Sequence, residues 1–261
     1  MRASTCLFLL ALTAHAQNSG VDNQSLANAA NDPTAPVTTL LFRPAYAPRI
    51  PLAGSGGSVF EFNPSMPLKT GKLQHLIKFT IPLVAVSPEP ERAVGFGDIQ
   101  VFDLLAVGSP YGKWGFGGTF VTPTATSSQV GEGKWQAGPA LGFISGKMPH
   151  LLAGFVAQNP ISFAGDKNRA SVNGLSITPT LTYNMRNGWF FGHSDFDFTF
   201  NWHDSDDRLI PIGLQVGHVF RVGGKGLSLS FEAAYSVRHP TKIAYPKLLL
   251  AAEAVIIIPS R

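Results

Sequence analysis

Apolar and polar residues alternate in short runs along most of this chain. From Leu227 to Val237 every second residue is apolar or small, and most residues between them are polar, Glu232 among them. The stretch 210–221 repeats the pattern, with His218 as the polar member of its apolar face. A period of two predicts β-strands that have one apolar face and one polar face.

Residues 195–202 show the same period with aromatic side chains. Four rings alternate there with four polar residues: Phe196, Phe198, Phe200 and Trp202 against Asp195, Asp197, Thr199 and Asn201. We therefore predict that the four rings share one face of a strand and that the polar residues point to the other face.

Strand-like runs extend from residue 37 almost to the end of the chain. About twelve are predicted, at 37–46, 56–63, 72–83, 95–107, 113–122, 133–144, 150–158, 172–183, 189–200, 209–221, 227–238 and 247–258. Most are close to the length of roughly 9 to 11 residues that a tilted strand needs to cross a bilayer. An even number also allows the last strand to pair with the first.

The joins between these runs alternate in length. Short joins rich in turn formers lie at 108–112, 145–149, 184–188 and 222–226. Longer and more polar joins lie at 87–94, 123–131, 159–171 and 203–208. Tight turns at one end and long loops at the other are typical of outer-membrane barrels. The pattern predicts an all-β fold, an antiparallel up-and-down transmembrane β-barrel of about twelve strands.

The segment before the first run predicts two further parts. Residues 1–16 have the features of a secretory signal peptide: Arg2, an apolar stretch, and a small-x-small cleavage site at Ala14 to Ala16. The single cysteine, Cys6, lies inside that signal. Residues 17–36 are polar and broken by prolines, which predicts a flexible N-terminal periplasmic arm. The domain boundaries are then 1–16, 17–36 and 37–261.

Composition supports a membrane barrel over a soluble protein. Charged residues make up 14% of the chain, well below the roughly 25% of a soluble domain. No stretch after the signal reaches the roughly 20 apolar residues of a transmembrane helix, so a membrane form must be a closed barrel. The net charge of +4 includes no basic run, so nucleic acid is not an expected partner.

Aromatic residues near strand ends predict anchors at the membrane interfaces: Tyr111, Trp114, Trp189 and Trp202.

Few residue clusters in this sequence indicate chemistry. The acidic loop 203–207 offers oxygen ligands for a cation, but it lacks the spacing and glycine of a calcium loop, and a solvated loop is the expected role. His193 and Ser194 are adjacent, which places them on opposite faces of a regular strand and argues against a hydrolase pair. The sequence has no nucleophile elbow and no zinc-protease motif. We expect no catalytic residues, no bound metal and no cofactor.

The polar faces of the predicted strands supply the candidate site residues. These residues would project into the barrel, where they either line a path for water and solutes or form ion pairs that fill a narrow lumen. The candidates are Lys78, Asp98, Gln100, Asp195, Asp197, Gln215, Arg221, Glu232, Arg238 and Glu253.

Several segments resemble a known family. They are GFGD at 95–98, GKWGFG at 112–117 leading into VTPTA at 121–125, and 131–139, with further matches in FAGD at 163–166, NGW at 187–189 and LIPIG at 209–213. The sequence resembles the bacterial outer-membrane family named for the MetA pathway of phenol degradation. The resemblance implies an outer-membrane barrel with a role in transporting small molecules, and it carries over no catalytic or ligand-binding residue. One departure is the chain end, IIIPSR, where such barrels usually have an aromatic-rich strand.

These features together predict a channel or transporter of the bacterial outer membrane. It would admit small molecules, including hydrophobic or aromatic ones, by passive diffusion, and it would not be an enzyme. A membrane-embedded lipid-modifying hydrolase and a non-conducting structural or adhesive surface protein remain alternatives. The expected partners are outer-membrane lipid, lipopolysaccharide, the barrel-assembly machinery and the small-molecule solute.

Overall fold

The chain forms fifteen β-strands that make one sheet. A computed structural model describes residues 37–50, 56–71, 73–86, 93–223, 225–240 and 245–259. The strands are β1 (Val37–Ala47), β2 (Gly57–Thr70), β3 (Leu73–Val86), β4 (Ala93–Phe96), β5 (Ile99–Ser109), β6 (Gly112–Thr122), β7 (Lys134–Ser145), β8 (Leu151–Gln158), β9 (Ile161–Gly165), β10 (Gly174–Asn184), β11 (Trp189–His193), β12 (Phe198–Asn201), β13 (Arg208–Val222), β14 (Lys225–Arg238) and β15 (Leu248–Pro259).

The sheet closes into a barrel. Each crossing of the wall pairs antiparallel with the crossings before and after it. β15 returns to pair with β1, with Leu40 opposite Ile256 and Leu41 opposite Val255. β4 and β5 form one crossing of the wall, as do β8 and β9, and β11 and β12. The result is a closed barrel of twelve antiparallel strands, which confirms the predicted fold.

The two ends of the barrel differ, as the join lengths predicted. At one end, here named the short-turn end, the connections are brief: residues 71–72, 110–111, 146–150, 185–188 and 223–224. Gly71 and Gly223 supply left-handed backbone at two of these turns, with φ of 63° and 55°, a conformation that costs glycine little. The opposite, long-loop end carries the joins 48–56, 87–92, 123–133, 166–173, 202–207 and 239–247.

Alternation places apolar side chains on the outside of the barrel. In β14 the odd-numbered residues are outward, with Phe231 52%, Tyr235 54% and Val237 62% exposed, while Ser228, Glu232 and Ser236 are buried inside. Aromatic rings collect near both rims, with Tyr111 and Trp189 at the short-turn end and Phe163 and Trp202 at the long-loop end. On the outer face His75 Nδ1 lies 2.9 Å from Asp103 Oδ2.

Three crossings and one boundary differ from the sequence-based prediction. The run predicted at 56–63 continues to Thr70, because Pro64 and Pro67 are accommodated within β2. The crossing predicted at 150–158 gains β9, which pairs with β7. The runs predicted at 95–107 and 189–200 are each interrupted, at 97–98 and at 194–197.

No helix among the described residues is long and apolar enough to cross a membrane. The predicted signal peptide and N-terminal arm, residues 1–36, lie outside the described residues.

Candidate functional site

Arg43 is the centre of a buried charged layer inside the barrel. Its guanidinium group contacts three glutamates from three different strands: Nη2 lies 2.7 Å from Glu232 Oε1, Nε 3.1 Å from Glu253 Oε1, and Nη1 3.4 Å from Glu61 Oε2. Glu232 is fully buried and Glu253 is 7% exposed. The planar guanidinium group presents several fixed donors, which suits it to hold several carboxylates at once.

Polar neighbours extend this layer toward β11 and β13. The backbone N–H of Asp195 donates to Glu232 Oε2 at 2.7 Å. The side-chain amide of Gln215 donates to Glu253 Oε2 at 3.0 Å and approaches Asp195 Oδ2 at 3.5 Å. Here the name charged layer means Arg43, Glu61, Glu232, Glu253, Gln215 and Asp195. Since buried polar groups need partners, these mutual contacts are what allow the layer to exist in the interior.

Apolar side chains pack on either side of the charged layer. Toward the long-loop end lies the upper apolar layer, formed by Phe196, Ala234, Ala251, Ala45 and Leu249. Toward the short-turn end lies the lower apolar layer, formed by Phe190, Val219, Val255, Ile257, Val37 and Leu41. Both layers join β1 to residues near β11, four crossings away around the wall. Side chains therefore meet across this part of the lumen.

The other half of the lumen is also occupied by side chains. Gln100 donates to Thr119 Oγ1 at 2.8 Å and to Gln158 Oε1 at 2.9 Å. The Lys78 ammonium group lies 5.9 Å from the centre of the Phe102 ring, within the range of a cation–π contact. Phe102 in turn packs with Leu104 and Ala140. The polar side chains here are engaged with one another and with apolar neighbours.

The structure therefore brings together part of the predicted set. Asp195, Gln215, Glu232 and Glu253 share the charged layer, and Lys78 is close enough for its charge to act on Asp195. Gln100 lies in the network of the opposite half.

Four predicted site residues lie apart from the charged layer. Asp98 interrupts β4 and β5, and its carboxylate accepts backbone hydrogen bonds from Ala125, Glu132 and Gly133 of the loop 123–133. Asp197 accepts hydrogen bonds from Ser176 and Thr178 of β10. Arg238 lies at the long-loop rim, 3.6 Å from Asp206. Arg221 is half-buried near the short-turn end.

Sequence reasoning missed Arg43 and Glu61. The signal was present, because each is a lone charge in a strand-like run: Arg43 at a position in phase with Leu41 and Ala45, and Glu61 between Phe60 and Phe62. A single charge inside a spanning strand is a candidate for the lumen face.

The prediction for Phe196 was wrong. It was placed on one face with Phe198 and Phe200, but its ring is 8% exposed and lies inside, with the Arg43 guanidinium carbon 4.4 Å from the ring centre. The reason is an added residue. His193 pairs with Leu214, and Thr199 pairs with Leu209. Between these two pairs the chain advances by six residues on the β11–β12 side and by only five on β13. Such a bulge reverses the alternation.

The other candidates for chemistry show no catalytic arrangement. The His193 ring contacts the backbone oxygen of Ser194 at 2.6 Å, and the Ser194 hydroxyl has no hydrogen-bond partner in the described part of the chain. The two side chains thus do not form a nucleophile–base pair. Among the described residues, no group of three or more His, Cys, Asp or Glu side chains is placed to hold a metal ion.

Loops converge at the long-loop end. Arg169 donates to the backbone oxygens of Ser128 and Gly131 in the loop 123–133. Burial, together with the negative charges of Asp207 and Glu132, raises the pKa of Tyr245 to about 12. Tyr245, Asp207 and Glu132 belong to three different loops, so these loops lie near enough to one another at the long-loop end for their charges to interact.

Comparison with known proteins gives a fold likeness. No protein-family model and no curated protein matches the sequence, so the resemblance to the phenol-degradation family stays a prediction. The barrel is similar to an outer membrane channel from Pseudomonas putida F1, with a TM-score of 0.56 and 13% identity, over 85% of this chain and 94% of that chain.

Two further solved structures give lower scores. A bacterial polysaccharide outer membrane secretin has a TM-score of 0.42 at 8% identity, over 87% of this chain and 99% of its own. The outer membrane phospholipase of Salmonella typhi has a TM-score of 0.39 at 11% identity, over 92% of this chain and 99% of its own. The likeness to the Pseudomonas channel establishes a shared barrel fold.

Proposed function

We propose that this protein is a channel or transporter of the bacterial outer membrane for small molecules, among them hydrophobic or aromatic ones, which move down their gradient. The observation that carries the proposal is the division of the barrel into an apolar outer face and an inner face with a buried charged layer around Arg43. Such a division places lipid outside and solute inside.

The closed wall supports a membrane location. Because lipid offers no hydrogen-bond partners to the backbone, a spanning protein must satisfy its own N–H and C=O groups, and a barrel whose last strand pairs with its first does so. The outward apolar side chains of β13 and β14 include Leu214 at 73%, Val237 at 62% and Leu229 at 43% exposed. The similar protein from Pseudomonas putida is named an outer membrane channel.

The charged layer favours a selective path over a wide pore. At this level the guanidinium group of Arg43 is outnumbered by the carboxyl groups of Glu61, Glu232, Glu253 and Asp195. A ring of excess negative charge favours cations and disfavours anions. The packed layers on either side make the path narrow.

We expect the protein to act without catalysis and without a cofactor, after removal of residues 1–16. Its expected partners are outer-membrane lipid, lipopolysaccharide and the barrel-assembly machinery.

Single-channel recording tests this proposal. Refolded protein comprising residues 17–261 is inserted in planar bilayers under a salt gradient, with and without phenol or small aromatic acids. We expect discrete steps of small conductance, a reversal potential that shows cation preference, and a lower current when the aromatic solute is present.

The matched variants are Glu61→Gln, in the charged layer, and Glu132→Gln, in a loop. Glu61 is chosen because its side chain is the most exposed of the three glutamates, at 26%, so the change is the least disruptive to folding. Glu61→Gln should reduce the cation preference and Glu132→Gln should leave it unchanged. A barrel that is folded by its heat-dependent gel mobility but never conducts would contradict the proposal.

A further inference from the structure

Backbone hydrogen bonding in the barrel wall is interrupted between β10 and β13. The strand between them is interrupted at residues 194–197, here named the gate segment. No strand pairing involves the gate segment, within the described part of the chain, whereas β11 before it and β12 after it pair with both neighbours. The Ser194 N–H still reaches Gly213 O at 3.3 Å. Backbone hydrogen bonds that hold the rest of the wall are thus largely missing here.

The side chains of the gate segment make their contacts inside the barrel. The Phe196 ring lies against Arg43 in the interior. The Asp195 N–H donates to Glu232, and the Asp197 carboxylate accepts from the hydroxyl groups of Ser176 and Thr178. Ser194 is fully buried. Four consecutive residues therefore offer no apolar side chain to the lipid.

This arrangement leaves a window in the outer apolar cover. The outward side chains on its two sides come from β10 and β13, where Leu181 is 50%, Ile212 47% and Leu214 73% exposed. From strand spacing and rise, the strands that flank the gate segment lie roughly 10 Å apart over a length of about 16 Å, so displacement of the gate segment would open a gap wide enough for a single aromatic ring system to pass edge-on. Pro179 and Pro211 lie on the flanking strands and supply no N–H with which to pair the gate segment.

Two polar atoms at the window lack partners. The Ser194 hydroxyl oxygen and His193 Nε2 are buried without a hydrogen bond in the described structure. Because His193 Nδ1 contacts the Ser194 carbonyl at 2.6 Å, Nδ1 carries the proton and Nε2 is an acceptor. Leaving such groups unpaired costs free energy, which a molecule with a hydroxyl or amine group would recover on binding here.

The order of the layers inside the barrel also favours a route through the gate segment. An apolar molecule that enters from the long-loop end meets the upper apolar layer, whose members include Phe196 of the gate segment. Below it the charged layer blocks the axial path for an apolar molecule. Displacing buried ion pairs with an apolar molecule is costly, because each charge loses its partner. Movement of the gate segment breaks hydrogen bonds of Ser194, Asp195 and Asp197, but it separates none of the ion pairs between Arg43 and the three glutamates.

We propose that the window closed by residues 194–197 is a lateral passage, through which small uncharged aromatic molecules move between the upper apolar layer and the lipid. The inference rests on the proposed transport function and specifies its route and substrate class. Ions and water would take the narrow axial path, and apolar solutes would leave sideways without crossing the charged layer.

A reversible disulfide tests the passage. The only cysteine of the chain is Cys6, so new pairs can be introduced without interference. Thr178→Cys with Asp197→Cys tethers the gate segment to β10, at residues whose side chains already form a hydrogen bond. Leu175→Cys with Phe200→Cys is the matched control, because it joins paired residues of the same two crossings. The readout is entry of the apolar aromatic amine N-phenyl-1-naphthylamine into cells that express the protein, followed by its fluorescence in lipid.

The expected result is that oxidation of the gate pair lowers dye entry to the rate of cells without the protein, and that reduction restores it. The control pair should not change dye entry in either state, and the conductance of the oxidised gate variant should match wild type. Thr178→Val removes one hydrogen bond to Asp197 and should raise dye entry. Thr180→Val, the control on the same strand, should not change it.

The outcomes separate this inference from the proposed function. If oxidation of the gate pair does not change dye entry, the lateral passage is overturned. Ion conductance of the same protein would still support a channel. Wild-type protein that admits no more dye than control cells also overturns the passage. Dye entry that depends on the gate without any ion conductance would support the passage and contradict the conducting pore.

Discussion

Arg43 contacts three carboxylates, two of them buried, and its removal tests how far the charged layer supports the fold. Arg43→Met leaves Glu232 and Glu253 buried without their cation. Breaking one partner of a buried ion pair typically costs about 3–5 kcal/mol. We expect a loss of that size in the free energy of unfolding, measured by urea titration of the refolded barrel in detergent.

Arg49→Met is the matched control for this change. Arg49 is exposed and follows β1 at the long-loop end, so its substitution should leave the unfolding midpoint nearly unchanged. If both variants unfold like wild type, the charged layer does not contribute to stability as the contacts indicate.

At the scale of elements, one aspartate organises a long loop. The Asp98 carboxylate accepts from the backbone N–H groups of Ala125, Glu132 and Gly133, and so joins both ends of the loop 123–133 to the break between β4 and β5. A carboxylate that accepts several N–H groups makes strong, charge-assisted hydrogen bonds. Asp98→Ala should therefore loosen the loop without opening the barrel.

Limited proteolysis measures that effect. A glutamate-specific protease should cut Asp98→Ala after Glu132 several times faster than it cuts wild type, while the heat-dependent gel mobility of the barrel is retained. Asp204→Ala is the comparison, because the Asp204 carboxylate accepts from the nearby N–H of Asp206 in its own loop. Equal cleavage rates in wild type and Asp98→Ala would show that other contacts, such as those of Arg169, hold the loop.

At the scale of the whole molecule, closure depends on the pairing of the first strand with the last. Leu40 and Ile256 are direct partners on β1 and β15. Ile256 lies between the buried residues Val255 and Ile257, and Leu40 is out of phase with the inward residue Arg43, so both lie on the outer face. Paired residues of antiparallel strands have Cα atoms about 4.5–5.5 Å apart, within the range that a disulfide spans. Leu40→Cys with Ile256→Cys should form a disulfide in the folded barrel.

Gel mobility under non-reducing conditions measures this closure. The cross-linked chain is nearly a full circle, so after heat denaturation it should migrate faster than the reduced chain. Leu141→Cys with Ile256→Cys provides the negative control, since Leu141 lies on β7 at the far side of the barrel. A disulfide in the control but not in the first pair would contradict the closure.

The strands, their number and the difference between the two ends are predictable from the sequence alone. These features are local: a two-sided environment imposes a period of two on each strand, and a tight turn needs residues such as Gly71 and Gly223 within a few positions. The inward direction of Glu232, Gln215 and Glu253 followed from the same alternation. The alternation of residues along each strand therefore predicts a charged interior and an apolar exterior.

Which inward side chains meet depends on the tertiary structure. Arg43 and Glu232 are 189 residues apart in the chain, and whether they lie at the same height depends on the register of every strand pair between them. The inward turn of Phe196 depends on one added residue between His193 and Thr199, which alternation in a single strand does not reveal. Asp98 follows the polar pattern of its strand, yet its carboxylate binds a loop that packs against it from about thirty residues away. Register and long-range packing are properties of the closed sheet, and for that reason the charged layer and the gate segment appear only in the folded barrel.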